Sequence, residues 1–379
     1  MHYFITASVD SYISENSPSY ITQHPDSITK NYGGDAILEL NKTFFDRYDT
    51  SSFSVSRILI KFNYSDVSSS IVSGHITNPR YYLRLYEIEG QKELNKSYTL
   101  QAFPLSQSWV EGVGKKFDNP KVQEGVTWTD YDSGSAWSAT LGQNSYSGSR
   151  TKSLGGGIWM TGSGYEASQS FTNVSGDVEM EITDAVKKHL GGTNQISNNG
   201  FLIKFSGSVE NDVASNNLKF FSKQTHTIYQ PKLEVRWDDH KPCTGSNTGS
   251  MNELTMSGEL KNHVFIKGLR KNYRETEKVR FRLGCRKNNV QKTFKESALT
   301  SSFYVSEGSG SYSILDVSTN TSVVPFSAYT TMSCDTTSMY FDQWLNTFEP
   351  GRYYKILFKL RYNDGQESII DNNEEFKII

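Results

Sequence analysis

The sequence predicts an all-β protein made of two β-sandwich domains, jelly-roll-like at the N-terminus and immunoglobulin-like at the C-terminus. Three observations carry this. Short apolar alternations recur along the chain, such as Ser56-Arg57-Ile58-Leu59-Ile60-Lys61-Phe62 and Gly200-Phe201-Leu202-Ile203-Lys204-Phe205, each closed by a turn or a tryptophan-bearing corner. Aromatic residues reach 13%, with 22 Tyr and 21 Phe, although hydrophobic residues total only 36%; many aromatics among few aliphatics suit pleated faces. Finally, 379 residues exceed one ordinary core. Such sandwiches are normally binding or structural modules, which turns the expectation away from catalysis.

The first domain is expected over residues 1–239. Its strands read as 3–8, 36–40, 57–62, 81–86, 98–104, 178–182, 200–205, 218–222 and 232–237. A short helix is expected at 182–190, with Thr183 and Asp184 as caps, Ala185, Val186 and Leu190 as the apolar stripe, and Gly191-Gly192 as the stop. Between residues 106 and 175 the chain is rich in Gly, Ser and Trp, carrying Trp109, Trp128, Trp137 and Trp159. Long irregular stretches inside a domain are usually functional, and large aromatics on loops favour interfaces. These four tryptophans are therefore candidate partner contacts, against the plainer reading of an excursion held by its own rings.

A linker is expected at 240–252, where Lys241-Pro242 and the 245–249 stretch break periodicity. The second domain, 253–379, reads as strands 253–260, 263–269, 278–286, 302–305, 312–317, 352–362 and 366–378, with one or two helical turns at 339–348.

Net charge is −2, so nothing steers the whole molecule toward nucleic acid or acidic membranes. No apolar run approaches the ~20 residues that cross a bilayer, and the first residues lack the basic-then-apolar pattern of a secretion signal. Cys243, Cys285 and Cys334 show no CxxC spacing. The expectation is three unbridged thiols in a protein made and folded in a reducing cytoplasm.

Glu111, Asp118, Glu124, Asp130 and Asp132 lie near Trp109 and Trp128, a combination seen in glycosidases, but no pair has a diagnostic spacing and no GxSxG elbow is present. The expectation is a protein that is not an enzyme. The seven histidines show no HxxxH or HxH pairing, so no zinc site is expected. Calcium is the one metal left open, with Asp10, Asp35 and Asp177 as loop ligands; no other cofactor is expected. The run Gly155-Gly156-Gly157 lacks a phosphate-loop context and reads as loop flexibility.

The densest charge feature is Lys267, Arg270, Lys271, Arg274, Lys278, Arg280, Arg282, Arg286 and Lys287. On a strand, Lys278, Arg280 and Arg282 share one face and Val279, Phe281 and Leu283 the other. The cationic face is a candidate contact for an acidic partner surface; nucleic acid is a weaker choice because Glu275 and Glu277 interrupt it.

The first domain resembles the DNRLRE family of β-sandwich modules, found in polysaccharide-degrading enzymes and cell-surface proteins. The matching segments are Asp10-Ser11-Tyr12-Ile13-Ser14, Asn31-Tyr32-Gly33, Arg57-Ile58-Leu59-Ile60-Lys61-Phe62, Tyr82-Leu83-Arg84-Leu85-Tyr86, Trp109 with Glu111-Gly112, and Gly125-Val126-Thr127-Trp128. Further on come Ile182-Thr183-Asp184-Ala185-Val186, Gly200-Phe201-Leu202-Ile203 and Pro231-Lys232-Leu233-Glu234-Val235. The stretch 131–175 is longer than the family pattern. The second domain resembles the C-terminal part of structural proteins from contractile-tailed phages of marine bacteria, in residues 267–277, 303–312 and 353–364. The second resemblance implies a virion protein, and the leading expectation is one present in many copies and synthesised in the host cytoplasm. It would dock through its C-terminal domain and contact other virion proteins through sandwich surfaces and the Trp-rich loop. The alternative is a carbohydrate-binding module whose tryptophans stack on a glycan. Neither nucleic acid nor a membrane is an expected partner.

Overall fold

The computed structural model describes residues 1–15, 27–45, 52–88, 97–138, 155–172, 176–210, 216–257, 262–288, 302–346 and 348–379. Regular structure in them is overwhelmingly strand, so the protein is all-β. The chain divides into two compact units. One comprises Ile5–Ser73 and Arg80–Val235; the other comprises Arg236–Ile379 with Met1–Phe4 and Gly74–Pro79.

The large sheet runs Ala167–Thr172, Ser97–Pro104, Phe201–Phe205, Ser52–Phe62, His2–Ser14, Lys232–Arg236, Arg80–Leu85 and Val178–Glu181, hydrogen-bonded in that order. Ser52–Phe62 is its pivot. Residues 52–55 pair with 42–45 of Ile37–Phe45, whereas 56–62 pair with the second half of His2–Ser14. One long strand thereby changes partners midway, a device by which sheets turn corners. Ile58, Leu59 and Ile60 in its centre are all fully buried. That explains why the run is continuously apolar there, as strands covered on both faces are.

Helix Thr183–His189 lies within the expected span, with Ala185 and Val186 buried. Asp184 in its first turn and Lys187, Lys188 and His189 in its last complement the helix dipole. The expected cap is corrected, because Thr183 does not cap. Its hydroxyl accepts the Tyr81 N–H at 2.9 Å and donates to Glu181, tying the helix start to strand Arg80–Leu85. Gly191, at φ 101°, ends the helix, and the Gly192 N–H donates to the Lys187 carbonyl. Helices Ser65–Val72 and Gly207–Glu210 were not anticipated.

In the C-terminal unit two sheets face one core. Asn252–Glu253, Phe303–Tyr304, Lys278–Lys287, Met339–Trp344 and Ser333–Cys334 form the first, with Asn262–Lys267 also paired to Lys278–Lys287. The second runs Asn272–Tyr273, Glu367–Ile378, Tyr353–Arg361, Gly310–Asp316 and Thr321–Val324. Phe281 and Phe341 of the first meet Phe376 and Tyr312 of the second, with ring centroids 5.7 and 3.8 Å apart. Rings that meet across two inner faces give this unit a β-sandwich-like packing. Met339–Trp344 is a strand where helical turns were expected. It pairs with 278–283 in unbroken antiparallel register, and its Tyr340 and Phe341, on opposite faces, are both buried.

The cysteine expectation is overturned for two of three residues. Cys243 and Cys334 form a disulfide, and only Cys285 is a free thiol, buried. The pair lies 91 residues apart in sequence, which no local spacing rule detects. The Cys334 N–H donates to the Lys241 carbonyl at 3.2 Å, which lays the two segments side by side. Segment 240–252 is thus not a free linker but part of the C-terminal unit, with Gly249 pressed against the Thr336 backbone. Disulfides persist in oxidising settings, among them virion surfaces, so the thiols give no argument for a reducing compartment.

Candidate functional site

Three of the four candidate tryptophans are interior. Trp128, Trp137 and Trp159 are 0%, 6% and 6% exposed and share one cluster with Ile13, Val55, Leu59, Phe103 and Leu202. The Arg57 guanidinium lies 5.0 Å from the Trp128 ring and 5.0 Å from the Trp159 ring. Arg57 also donates from Nε and Nη2 to the Glu210 carboxylate, 3.2 Å each, and from Nη1 to the Gly156 carbonyl. Lys204 Nζ lies 3.0 Å from the same carboxylate. Burial alone would raise the Glu210 pKa, but the two cations hold it below its ordinary value. This cationic plug between rings is structural. The glycine run completes it: a Cβ on Gly156 would stand 2.6 Å from Arg57 and 2.8 Å from the Trp128 ring. The run serves close approach and not loop flexibility. Trp109 is half-buried, its ring N–H held by the Asn199 carbonyl at 2.9 Å. These rings are not an open partner surface.

The two arginines of the cationic strip find acids within their own unit. Arg280 and Asp342 are directly opposite across the strand pair and make a two-pronged contact, Nε to Oδ1 at 2.8 Å and Nη2 to Oδ2 at 2.9 Å. Arg282 Nη1 donates to Asp335 at 3.1 Å and to Ser338 at 3.0 Å. Burial tends to raise the Asp335 pKa, but Arg282 and the Thr337 and Ser338 amides bring it down to about 2. Lys278 Nζ sits 5.5 Å from the Trp344 ring. Arg280 and Arg282 are thus paired within the unit, whereas Lys278 is exposed beside a ring. The sequence reading missed this because it placed Asp342 in a helix, where no cross-strand partner exists.

A different convergence appears at one end of the N-terminal unit. Asn31, fully buried, makes all four hydrogen bonds that its amide allows. Its Nδ2 donates to the Glu111 and Val126 carbonyls, both at 2.7 Å. Its Oδ1 accepts from the Gly33 and Gly114 N–H groups at 3.1 and 2.8 Å. A Cβ on Gly112 would fall 2.4 Å from Asn31 Oδ1, and one on Gly125, at φ 92°, would fall 2.6 Å from the Gly112 backbone. Asn31-Tyr32-Gly33 is knotted here to Glu111-Gly112 and Gly125-Val126, with bonds from Asn31 that span 80 and 95 residues.

Acids ring the knot. The Asp10 N–H donates to Glu111 Oε1 at 3.0 Å, the Lys223 N–H to Asp10 Oδ2 at 2.7 Å, and Lys223 Nζ to Glu111 Oε2 at 2.8 Å. Asp10 Oδ1 is buried with no hydrogen-bond partner among the described residues. Burial, with a smaller push from Glu111, raises the Asp10 pKa to about 7 against the pull of Lys223. Asp35 accepts the Lys116 N–H and the Tyr12 hydroxyl, and its pKa is raised, chiefly by burial. Asp177 accepts the Glu87 N–H at 2.8 Å. The calcium candidates Asp10, Asp35 and Asp177 therefore sit in separate hydrogen-bond sets. Among the described residues no three acidic, histidine or cysteine side chains gather as a metal site. Of the carboxylates near the tryptophans, Glu111 binds Lys223, Asp118 Oδ2 holds the Lys115 N–H, and Asp132 holds the Ser133 N–H.

What the knot presents outward is a loop tip that the sequence reading overlooked. Val110, Val113 and Phe117 are 49%, 71% and 83% exposed. The backbone beneath them is held: Gly34 N–H to the Gly114 carbonyl, Lys30 Nζ to the Lys116 and Asp118 carbonyls, and Lys116 Nζ to Glu39. The available signal was a lone Phe inside Gly114-Lys115-Lys116-Phe117-Asp118-Asn119-Pro120, a composition with no buried period.

No protein-family model matches the chain, and no curated protein matches it. The resemblances stated above rest on the quoted residues.

Proposed function

We propose that this protein is a non-enzymatic structural component of a tailed-phage virion, engaging neighbouring proteins through a preformed loop at residues 110–117. One observation carries the reading. A loop whose backbone is tied by Asn31, Lys30 and Lys116 nonetheless turns Val113 and Phe117 into water. Exposed apolar groups on an already ordered backbone lose little entropy on docking, which favours association. In a multi-copy particle each modest contact adds through avidity. The Cys243–Cys334 bond suits a particle that leaves the reducing cell interior. Density-gradient particles from cells expressing the chain should contain it at fixed stoichiometry by mass spectrometry. Its absence from them overturns the reading.

The carbohydrate-binding reading keeps a different platform from the one expected. Phe221 and Tyr229 stack at 5.4 Å, with Tyr86 5.5 Å from Tyr229, all three half-buried. Stacked rings at a surface suit a sugar face. Retention on polysaccharide resins that Tyr229→Ala abolishes would favour this reading.

A further inference from the structure

We infer that the loop tip seats in an apolar pocket of a protein partner whose rim carries a carboxylate for Lys115; this rests on reading the tip as the contact surface. Val113 and Phe117 flank Lys115, and all three are exposed. The neighbouring ammonium groups are engaged internally. Lys30 donates to two carbonyls, Lys116 binds Glu39, and Lys121 donates to Thr29. Of these four lysines, Lys115 is the one with no acceptor for its ammonium among the described residues.

One unpaired cation between two apolar side chains defines the complement: a concave apolar site with an anionic edge. That is the anatomy of a protein interface, an aromatic anchor inside and a charged rim outside. An anionic lipid surface fits less well. Its attraction grows with the number of free basic residues, and here two of the nearest ammonium groups are held by internal acceptors at 2.6–2.7 Å. A single Phe and Val would also insert too little apolar surface for stable anchoring, given that even one acyl chain binds marginally. The rim charge should act mainly on the rate of encounter, and the Phe on the lifetime of the complex.

The test uses the full chain, fluorescently labelled, and particles purified from a strain deleted for it. The wild-type chain should rebind. Phe117→Asp should weaken rebinding at least tenfold, and Lys115→Glu should slow association and flatten its salt dependence. Both variants should melt like the wild type, because both side chains face solvent. If the wild type does not rebind at all, the virion reading fails and takes this inference with it. Wild-type rebinding that neither variant weakens overturns the inference alone. Binding to phosphatidylserine vesicles that Phe117→Asp abolishes would overturn it in favour of a lipid surface. Self-association of the free chain that Phe117→Asp abolishes would do so in favour of a second copy.

Discussion

Replacing Asp10 by Asn tests the electrostatics of the knot. Asp10 is 1% exposed, and one of its carboxylate oxygens has no hydrogen-bond partner among the described residues. Its pKa rises from 3.8 to about 7 on folding, because burial disfavours the charge and Glu111 adds to it. At ~1.4 kcal/mol per pH unit that rise corresponds to roughly 4 kcal/mol between the two protonation states. The sign follows from linkage. A carboxyl whose folded pKa is raised stabilises the fold fully below its unfolded pKa. That stability is lost as pH climbs from about 4 through about 7, and the loss is complete above it. An asparagine cannot ionise, and its carbonyl can still accept the Lys223 N–H. Its NH2 group, placed where Oδ1 lacks a partner, costs about 1–3 kcal/mol. Asp10→Asn should therefore be less stable than the wild type near pH 4 and more stable by roughly 1–3 kcal/mol near pH 8, the two curves crossing between. Urea unfolding from pH 4 to 8.5, followed by fluorescence of the buried Trp128, Trp137 and Trp159, measures this. Parallel curves with a constant offset would refute the claim that Asp10 titrates in that window.

Three further outcomes are expected. Reducing the Cys243–Cys334 bond, or changing both residues to Ser, should cost the C-terminal unit about 4–5 kcal/mol from the 91-residue separation; titration under denaturing, non-reducing conditions should count one thiol, and a melt insensitive to dithiothreitol would contradict the pairing. Arg57→Met should destabilise the N-terminal unit by about 3 kcal/mol in denaturant titrations, because Glu210 loses its two-pronged partner inside the core while Lys204 retains part of the compensation; a change below about 1 kcal/mol would show that Glu210 relaxes to water. Reversing Arg280 and Arg282 to Glu should lower the melting temperature of the full chain in the absence of any partner, since it sets like charges against Asp342 and Asp335; wild-type melting would mean those acids do not hold the strip.

Local alternation was enough to determine the class of this protein and most of its strands. Val279, Phe281 and Leu283 do turn inward while Lys278 and Arg280 turn out, because side-chain direction along a strand is a property of the backbone alone. The glycines after residue 190 ended helix Thr183–His189 for an equally local reason. Alternation says which side a residue faces, however, and not what lies across from it. Trp128 and Trp159 read as loop aromatics until Arg57, about seventy and a hundred residues earlier, filled the space between their rings. Arg280 read as a free charge because its partner Asp342 stands 62 residues away on a strand whose apolar run also fits a helix. Cys243 and Cys334 met only because the Lys241 segment lies beside Cys334, and Asn31 gathered glycines from three separate loops. Each of these contacts closes a long loop, whose entropic cost is offset only by the assembled sheets. No window of sequence contains that offset, so partner, burial and charge state were decided by tertiary structure.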